Sequence, residues 1–185
     1  IFYKLEQSIR ELGYKPTIKE LESWTLLIVD VLNHPDRYYH NTKHILDVTT
    51  DLNGISAIAA IYHDVIYLPV DALLHPKIKK ILNKYFQMKK NFFQIRPDAL
   101  NDWNFRLVSH VFNMSKEQKF IDQNSNNEFL SALVALHEMQ EVLSPELKLY
   151  LACCLESTIP FRGSKKTVNN LISKIESSNK ILNKI

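Results

Sequence analysis

Residues 58–67 read Ile-Ala-Ala-Ile-Tyr-His-Asp-Val-Ile-Tyr, and this stretch decides the fold of the chain. His63 and Asp64 are its only strongly polar side chains, and the rest is apolar almost all round. A helix that is apolar on every side lies in the middle of its protein, covered by other elements. The sequence predicts such a helix, beginning at the N-cap Ser56 and ending before Pro69.

Other helices are predicted around this central one from apolar residues at steps of three or four and from capping residues at helix ends. The first of these helices begins after Pro16 with the capping box Thr17 and Glu20, and the second runs from near Asn41 to Asn53, before Gly54. A third begins at Pro76 and includes Tyr85 and Phe86. The remaining three are predicted from Pro97 to Phe112, from Glu128 to Met139, and from Ser144-Pro145 to Pro160. Glycine is scarce, at 3 of 185 residues, which favours helices over sheets with tight hairpins. We therefore expect one all-α domain over residues 1–185.

The composition is that of an ordinary globular protein, with 45% apolar and 23% charged residues. No stretch of about 18 apolar residues exists, so no membrane span is predicted. The formal net charge of +3 is too small to indicate nucleic-acid binding. Cys153 and Cys154 are adjacent, which excludes a disulfide framework and favours a reducing, cytoplasmic location. We interpret both cysteines as buried packing residues.

A run of lysines without any acid extends from Lys77 to Lys90. Such a run could contact an anionic surface or nucleic acid, but it is more often a solvated helix face. Four further histidines are given no role: His34, His75, His110 and His137.

His40 and His44 lie four positions apart within Tyr39–Val48, which reads YHNTKHILDV. If one helix contains both, their imidazoles share a face, with Cβ atoms about 5–6 Å apart. Two imidazoles on one face can bind one ion or one substrate. Two surface or core histidines without a ligand would show the same spacing, so this pair alone leaves both interpretations open.

His63 and Asp64 are the second feature that indicates chemistry. A carboxylate buried without a partner is costly, so Asp64 must be paired or bound to a metal. A buried His–Asp hydrogen bond, or a helix edge that faces solvent, would also explain the two residues. Together with the first histidine pair, however, they make three imidazoles and a carboxylate, which suit a divalent metal. Nitrogen and oxygen ligands without a thiolate leave Mg, Mn, Fe, Co, Ni and Zn as candidates.

The ordered set of motifs resembles the HD-domain metal-dependent phosphohydrolases. Tyr39–Val48 is similar to the Y-H-N-x-x-H-A-x-D-V stretch of class I cyclic-nucleotide phosphodiesterases, with Ile45 in place of Ala. The wider pattern is closer to small bacterial HD proteins, in which R-x-Y-H-N-x-x-H-I precedes H-D, N-E-x-x-S-A and E-x-T-I-P-F-R. The corresponding segments here are Arg37–Ile45, His63-Asp64, Asn127–Ala132 and Glu156–Arg162. The resemblance therefore spans roughly residues 37 to 162.

The resemblance implies a compact HD-domain helical bundle with a metal site. His44, His63 and Asp64 would be its metal ligands, for one or two divalent ions. Asp64 would also take part in catalysis by bridging two ions, and His40 would be the general acid.

Three basic residues are candidates for binding the phosphate of the substrate: Arg37, Lys43 and Arg162. A guanidinium matches a phosphate group in a fork, which favours the two arginines. Surface ion pairing is an equally good interpretation of these arginines.

The resemblance also implies a further metal-ligating Asp on a helix that follows Arg162. Residues 163–185 contain no Asp, and their only acid is Glu176. Three explanations stay open: the chain is a fragment truncated at its C-terminus, the ligand is replaced, or the site is incomplete. The candidate replacements are Glu128, Glu156 and Asp71, which are otherwise a first-turn helix charge, a salt-bridge partner and a loop cap.

The leading hypothesis is metal-dependent hydrolysis of a phosphate ester, with a small phosphorylated molecule such as a nucleotide as substrate. Two alternatives stay open. An HD-type di-iron oxygenase would share the ligand set but needs more carboxylate and histidine ligands. A catalytically incomplete HD fold would instead bind a phosphorylated ligand as a regulatory module. The sequence does not indicate an oligomeric state.

Overall fold

Helices make up most of the chain in this computed structural model, which describes residues 1–68, 75–89, 92–114, 126–159, 168–169 and 171–177. The helices are α1 (Phe2–Glu11), α2 (Ile18–Leu32), α3 (Thr42–Val48), α4 (Gly54–Tyr62), α5 (Pro76–Leu82), α6 (Trp103–Val111), α7 (Asn126–Glu138) and α8 (Pro145–Ser157), with a 3₁₀ helix at Pro97–Asn101. Strands β1 (Phe86–Lys89) and β2 (Phe92–Ile95) pair with each other, and residues 168–169 and 171–177 are helical.

Helix α4 lies at the centre of the molecule. Every side chain from Ala57 to Tyr62 is buried. The helix contacts α1 on one side and α7 and α8 on another, and α3 packs near it. The central helix that the apolar run predicts is therefore confirmed, and burial of its apolar side chains contributes to the stability of the fold.

The C-terminal end of α4 differs from the prediction. The sequence predicts a helix that continues to the residue before Pro69, whereas α4 ends at Tyr62 with His63 as its C-cap. The amide of Val65 donates to the carbonyl of Tyr62 at 3.1 Å, which closes a tight turn. Beyond this turn the backbone bonds to side chains from distant segments, and those contacts replace the next helical hydrogen bonds. His63 and Asp64 therefore lie at a helix end.

Helix α3 is also shorter than predicted. The sequence predicts a helix to Asn53, but α3 ends at Val48, and Gly54 begins α4 instead of closing α3. Asn41 is the N-cap, with its Oδ1 atom accepting from the His44 amide at 3.1 Å. His40 therefore lies just outside the helix that contains His44.

The all-α expectation holds for most of the described chain but is wrong for one stretch. β1 and β2 pair in antiparallel register, with Phe86 opposite Ile95. The helix predicted to include Tyr85 and Phe86 ends at Leu82. Phe86 is buried while Gln87 is exposed, which is the period-two pattern of a strand with one face on the core.

Aromatic side chains from the middle of the chain fix α7 in place. The helix predicted from Pro97 to Phe112 divides at Asp102, which caps α6 by accepting from the Phe105 amide at 2.9 Å. The ring of Phe129 in α7 lies 6.1 Å from Phe105 and 5.5 Å from Phe112 between centroids, both edge-on. Such pairs add to the burial of apolar area, and they anchor the helix that faces the end of α4.

The predicted helix starts at Thr17 and Ser144 are confirmed. Thr17 and Glu20 form both hydrogen bonds of the capping box, and Ser144 accepts from the Leu147 amide ahead of α8. Helix α1, however, precedes the first helix that the sequence predicts. Its Leu5 and Ile9 are fully buried, so it belongs to the core.

The lysines of the run from Lys77 to Lys90 differ in their contacts and in their exposure to solvent. The Nζ atom of Lys77 pairs with Glu138 Oε2 at 2.5 Å and donates to Ser23 Oγ at 3.0 Å, so this lysine connects three helices. Lys79 and Lys80 are exposed, as a solvated face requires. Lys90 lies outside the described residues.

The helical segment 171–177 packs on the core through Leu171 and Ile175. Lys174 pairs there with Glu156 of α8 at 2.5 Å. No helix in the described part of the chain has both the length and the apolar character needed to cross a membrane.

Candidate metal centre

Two short stretches of chain bring four polar side chains together. His40 lies just before α3 and His44 lies in its first turn, while His63 caps the end of α4 and Asp64 follows it. The ring centroids of His40 and His44 are 5.6 Å apart, as are those of His44 and His63. The two features that the sequence singles out are therefore adjacent in the fold.

One oxygen of Asp64 is the focus of the cluster. Asp64 Oδ2 lies 2.7 Å from His40 Nδ1, 2.9 Å from His63 Nε2 and 3.5 Å from His44 Nε2. Ligand atoms of His40, His44 and Asp64 all lie within 4.8 Å of one another. His40, His44 and Asp64 therefore form a donor set that could hold a divalent cation. This set includes His40, which the sequence predicts as the general acid, and does not include the predicted ligand His63, although His63 Nε2 lies close to the same carboxylate oxygen.

The hydrogen bond of His63 Nδ1 to the backbone determines whether Nε2, the second ring nitrogen, carries a proton in the neutral ring. His63 Nδ1 lies 2.7 Å from the carbonyl oxygen of Ala60, and a carbonyl can only accept, so Nδ1 carries the proton. In the neutral ring, Nε2 then has a lone pair directed at the carboxylate of Asp64. Two electron-rich atoms 2.9 Å apart require a proton or a cation between them. A histidine held this way by a carbonyl is oriented as metal-ligating histidines are.

Burial and neighbouring charges set the protonation of the cluster. Burial raises the pKa of Asp64, but hydrogen bonds and positive charge from His63 and His40 outweigh it and hold the pKa at about 2. Burial lowers the pKa of His63, yet the contact with Asp64 and the Ala60 carbonyl raise it overall. Burial and the neighbouring imidazoles lower the pKa of His44 despite the charge of Asp64. At neutral pH Asp64 is therefore an anion, and His44 favours the neutral form that binds metals.

Tyrosine rings pack against the two histidines of the first stretch. Tyr67 lies 4.6 Å from His40 between ring centroids, and Tyr39 lies 4.8 Å from His44 and 5.1 Å from His40. The His40 side chain is 31% exposed, against 16% for His44 and 16% for His63. His40 thus lies at the open side of the cluster. No motif in the sequence singles out Tyr67, which stands at the end of the apolar run.

Arg37 lies beside the cluster, but its guanidinium is directed at the backbone. The residue is 4% exposed, and it donates to the carbonyls of Asp64 at 2.5 Å, Val65 at 3.4 Å and His40 at 3.4 Å. A group bonded in this way stabilises the chain around it. The expectation that Arg37 binds substrate phosphate stays a prediction, which these backbone contacts do not test.

The other two basic candidates have different positions. Lys43 forms an exposed pair with Asp47, one helical turn away, at 2.5 Å. Such surface pairs contribute little to stability. Arg162 lies outside the described residues.

The three candidate replacements for the missing carboxylate ligand differ in their relation to the cluster. The charge of Glu128, at the start of α7, is one of the causes that raise the pKa of His63. Glu156 is buried and pairs with Lys174, away from the ligand set of the described residues. Asp71 lies outside the described residues. Glu128 is thus the candidate replacement with an electrostatic effect on a histidine of the cluster.

Two further residues that sequence reasoning missed lie on α7. Ser131 Oγ accepts from the Ile66 amide at 3.1 Å, and Asn127 Oδ1 accepts from the Leu68 amide at 3.0 Å. Both belong to the N-E-x-x-S-A motif quoted above, which was the only signal that could have indicated them.

Comparison with models of protein families, with curated proteins and with solved structures gives no significant match.

Proposed function

We propose that this protein is a metal-dependent phosphohydrolase with an HD-type metal centre at His44, His63 and Asp64. The observation that supports the proposal is the convergence of three imidazole nitrogens on Asp64 Oδ2 at 2.7, 2.9 and 3.5 Å. In a purely structural His–Asp pair, one imidazole contacts a carboxylate oxygen, whereas three imidazole nitrogens lie around this oxygen of Asp64. A cation held by His44, His63 and Asp64 would share the lone pairs of these three residues, while the Nδ1 proton of His40 faces the same carboxylate.

The donor set favours particular metals. Imidazole nitrogens suit Fe, Co, Ni and Zn, whereas Mg prefers oxygen ligands throughout. With at least two imidazoles for each carboxylate, the cluster favours the first-row transition metals among the candidates. A divalent cation held there lowers the pKa of a bound water toward about 7 and neutralises charge on a phosphoryl group.

His40 is the residue that we assign to proton transfer. Because Asp64 is ionised at neutral pH and can only accept, the Nδ1 atom of His40 at 2.7 Å carries a proton toward it. The packing of Tyr67 fixes the plane of the His40 ring. Because the Nδ1 proton is bonded to Asp64, the proton for the leaving oxygen would come from Nε2 of the protonated ring, which leaves a neutral imidazole whose Nδ1 proton still faces Asp64. His40 is the most exposed of the three imidazoles, and this exposure supports its assignment as the general acid.

The proposed substrate is a small phosphorylated molecule, with nucleotides as the first class to test. Tyr38 and Tyr39 are 88% and 69% exposed directly before the cluster. Exposed aromatic rings are suited to stacking on a planar base.

The experiment compares metal content and hydrolysis in matched variants. The parent, His63→Ala with Asp64→Ala, and His34→Ala with Asp36→Ala are each purified, and bound metals are measured by mass spectrometry. The control removes a surface His–Asp pair whose atoms are 3.6 Å apart. Hydrolysis of nucleoside phosphates and simple phosphate esters is then measured with Mn²⁺, Co²⁺, Ni²⁺, Zn²⁺ and Mg²⁺.

We expect metal and hydrolysis in the parent and the control, and neither in the His63 and Asp64 variant. Equal metal content and turnover in all three proteins would disprove the assignment. Nucleotide binding by calorimetry without turnover at any metal would instead favour the regulatory module. Iron-dependent consumption of oxygen would favour the oxygenase.

A further inference from the structure

The turn that follows α4 is held by side chains from two distant parts of the chain. On one side Arg37 donates to the carbonyls of Asp64 and Val65. On the other side Ser131 accepts from the Ile66 amide and Asn127 accepts from the Leu68 amide. Two carbonyls and two amides between residues 64 and 68 thus have side-chain partners.

These bonds form where the backbone has left the helix and is still buried. Val65 and Ile66 are fully buried, as is Ser131, and Arg37 is 4% exposed. Buried carbonyl and amide groups without partners are costly, so side chains that bond them determine where the turn lies. An alanine at position 131 would leave the Ile66 amide without its acceptor.

The same turn carries two groups of the candidate metal centre. Asp64 begins it and supplies the carboxylate that faces the three imidazoles. Tyr67 lies near its end and packs on His40 at 4.6 Å. A displacement of the turn therefore moves the carboxylate relative to His44 and releases the ring that supports His40.

We infer that Arg37, Asn127 and Ser131 are positioning residues of the metal centre: they fix the turn over residues 64–68 and through it the carboxylate of Asp64 and the ring of Tyr67. This inference rests on the proposed function for its metal-dependent part. It gives Arg37 a role other than phosphate binding, and it explains why a serine and an asparagine of α7 accompany the HD pair. Residues that orient metal ligands commonly change metal affinity about tenfold or more when they are removed.

The test uses mild variants and a matched control. Ser131→Ala and Asn127→Ala each remove one acceptor. Ser8→Ala removes the hydroxyl of an equally buried serine in α1 that has no hydrogen-bond partner among the described residues. Three readouts are taken: amide exchange of Ile66 and Leu68 by NMR, the nuclear Overhauser effect between the Tyr67 and His40 rings in metal-free protein, and Co²⁺ affinity from absorption titration of the folded protein.

We expect faster exchange of the Ile66 amide in Ser131→Ala and of the Leu68 amide in Asn127→Ala. Both variants should lose intensity in the ring contact and bind Co²⁺ about tenfold more weakly, whereas Ser8→Ala should match the parent. A purely structural role would lower stability without changing the ring contact or the Co²⁺ affinity of folded protein, and that result would overturn the inference. If the parent itself binds no Co²⁺, the proposed function fails, and the ring contact in metal-free protein then decides the inference alone.

Discussion

Replacing Asp64 by asparagine tests the electrostatics of the candidate centre in metal-free protein. The substitution keeps the size of the side chain and removes its charge. Between an ordinary pKa of 3.8 and a folded-state pKa of about 2, the ionised carboxylate contributes about 2 kcal/mol to the free energy of unfolding. We therefore expect Asp64→Asn to destabilise the protein by about 2 kcal/mol at mildly acidic pH.

The sign of the pH dependence follows from the direction of each pKa shift. Because the pKa of Asp64 is lowered by folding, its contribution is present above its ordinary pKa and is lost as the pH falls through about 2. Because the pKa of His63 is raised, the contribution of the same pair is present below the ordinary histidine value and declines as the pH rises through the folded value. The difference between parent and variant should thus be largest between about pH 4.5 and 6.5, and about half of it should remain at about pH 3.

The assay is urea unfolding of the EDTA-treated parent and Asp64→Asn across this pH range. Asp51→Asn, at an exposed turn residue, is the control for the loss of one surface carboxylate. A difference for Asp64→Asn below about 0.5 kcal/mol at about pH 5.5, or one that stays constant down to about pH 3, would refute the electrostatic reasoning.

Three other predictions concern parts of the fold away from the centre. Thr17→Ala should lower the free energy of unfolding by about 1 kcal/mol in urea titrations, because it removes the capping box of α2, and an unchanged midpoint would contradict this. Cys153 should react with iodoacetamide at about pH 8 only after unfolding, since burial raises the pKa of its thiol to about 12; rapid labelling of native protein, located by peptide mass, would show otherwise. Lys174→Met should lower the free energy of unfolding by about 3 kcal/mol because it breaks the buried pair with Glu156. Adding Glu156→Gln should restore part of this loss, so additive losses in thermal unfolding would count against the pairing.

Features that depend on neighbouring residues are the ones that the sequence predicts well. The capping box at Thr17 is a local arrangement, and the structure confirms it. The central position of α4 follows from an apolar run that no surface helix would carry. His63 and Asp64 stand out for the same reason, since two polar residues within such a run need partners.

Features that depend on distant residues could not be predicted in the same way. The end of α4 is set by hydrogen bonds from Arg37 and Ser131, whose positions relative to the turn only the fold determines. The pairing of β1 with β2 escaped prediction because the lysines and aromatics around Phe86 also fit a helical period. The hydrogen bonds of Arg37 to backbone carbonyls could not be predicted from a motif, because a motif shows which residue type is present and not what its side chain contacts.

The brevity of α3 has a consequence for how the protein should behave under limited proteolysis. A helix of seven residues is unstable in water by itself, so its order depends on the burial of Ile45 and on the imidazoles that meet Asp64. A cation shared between residues 40–44 and 63–64 would act as a crosslink between two peptide segments. Chelation should then open cleavage sites around α3 before any in α4 or α8, and the digestion pattern would report occupancy without any substrate.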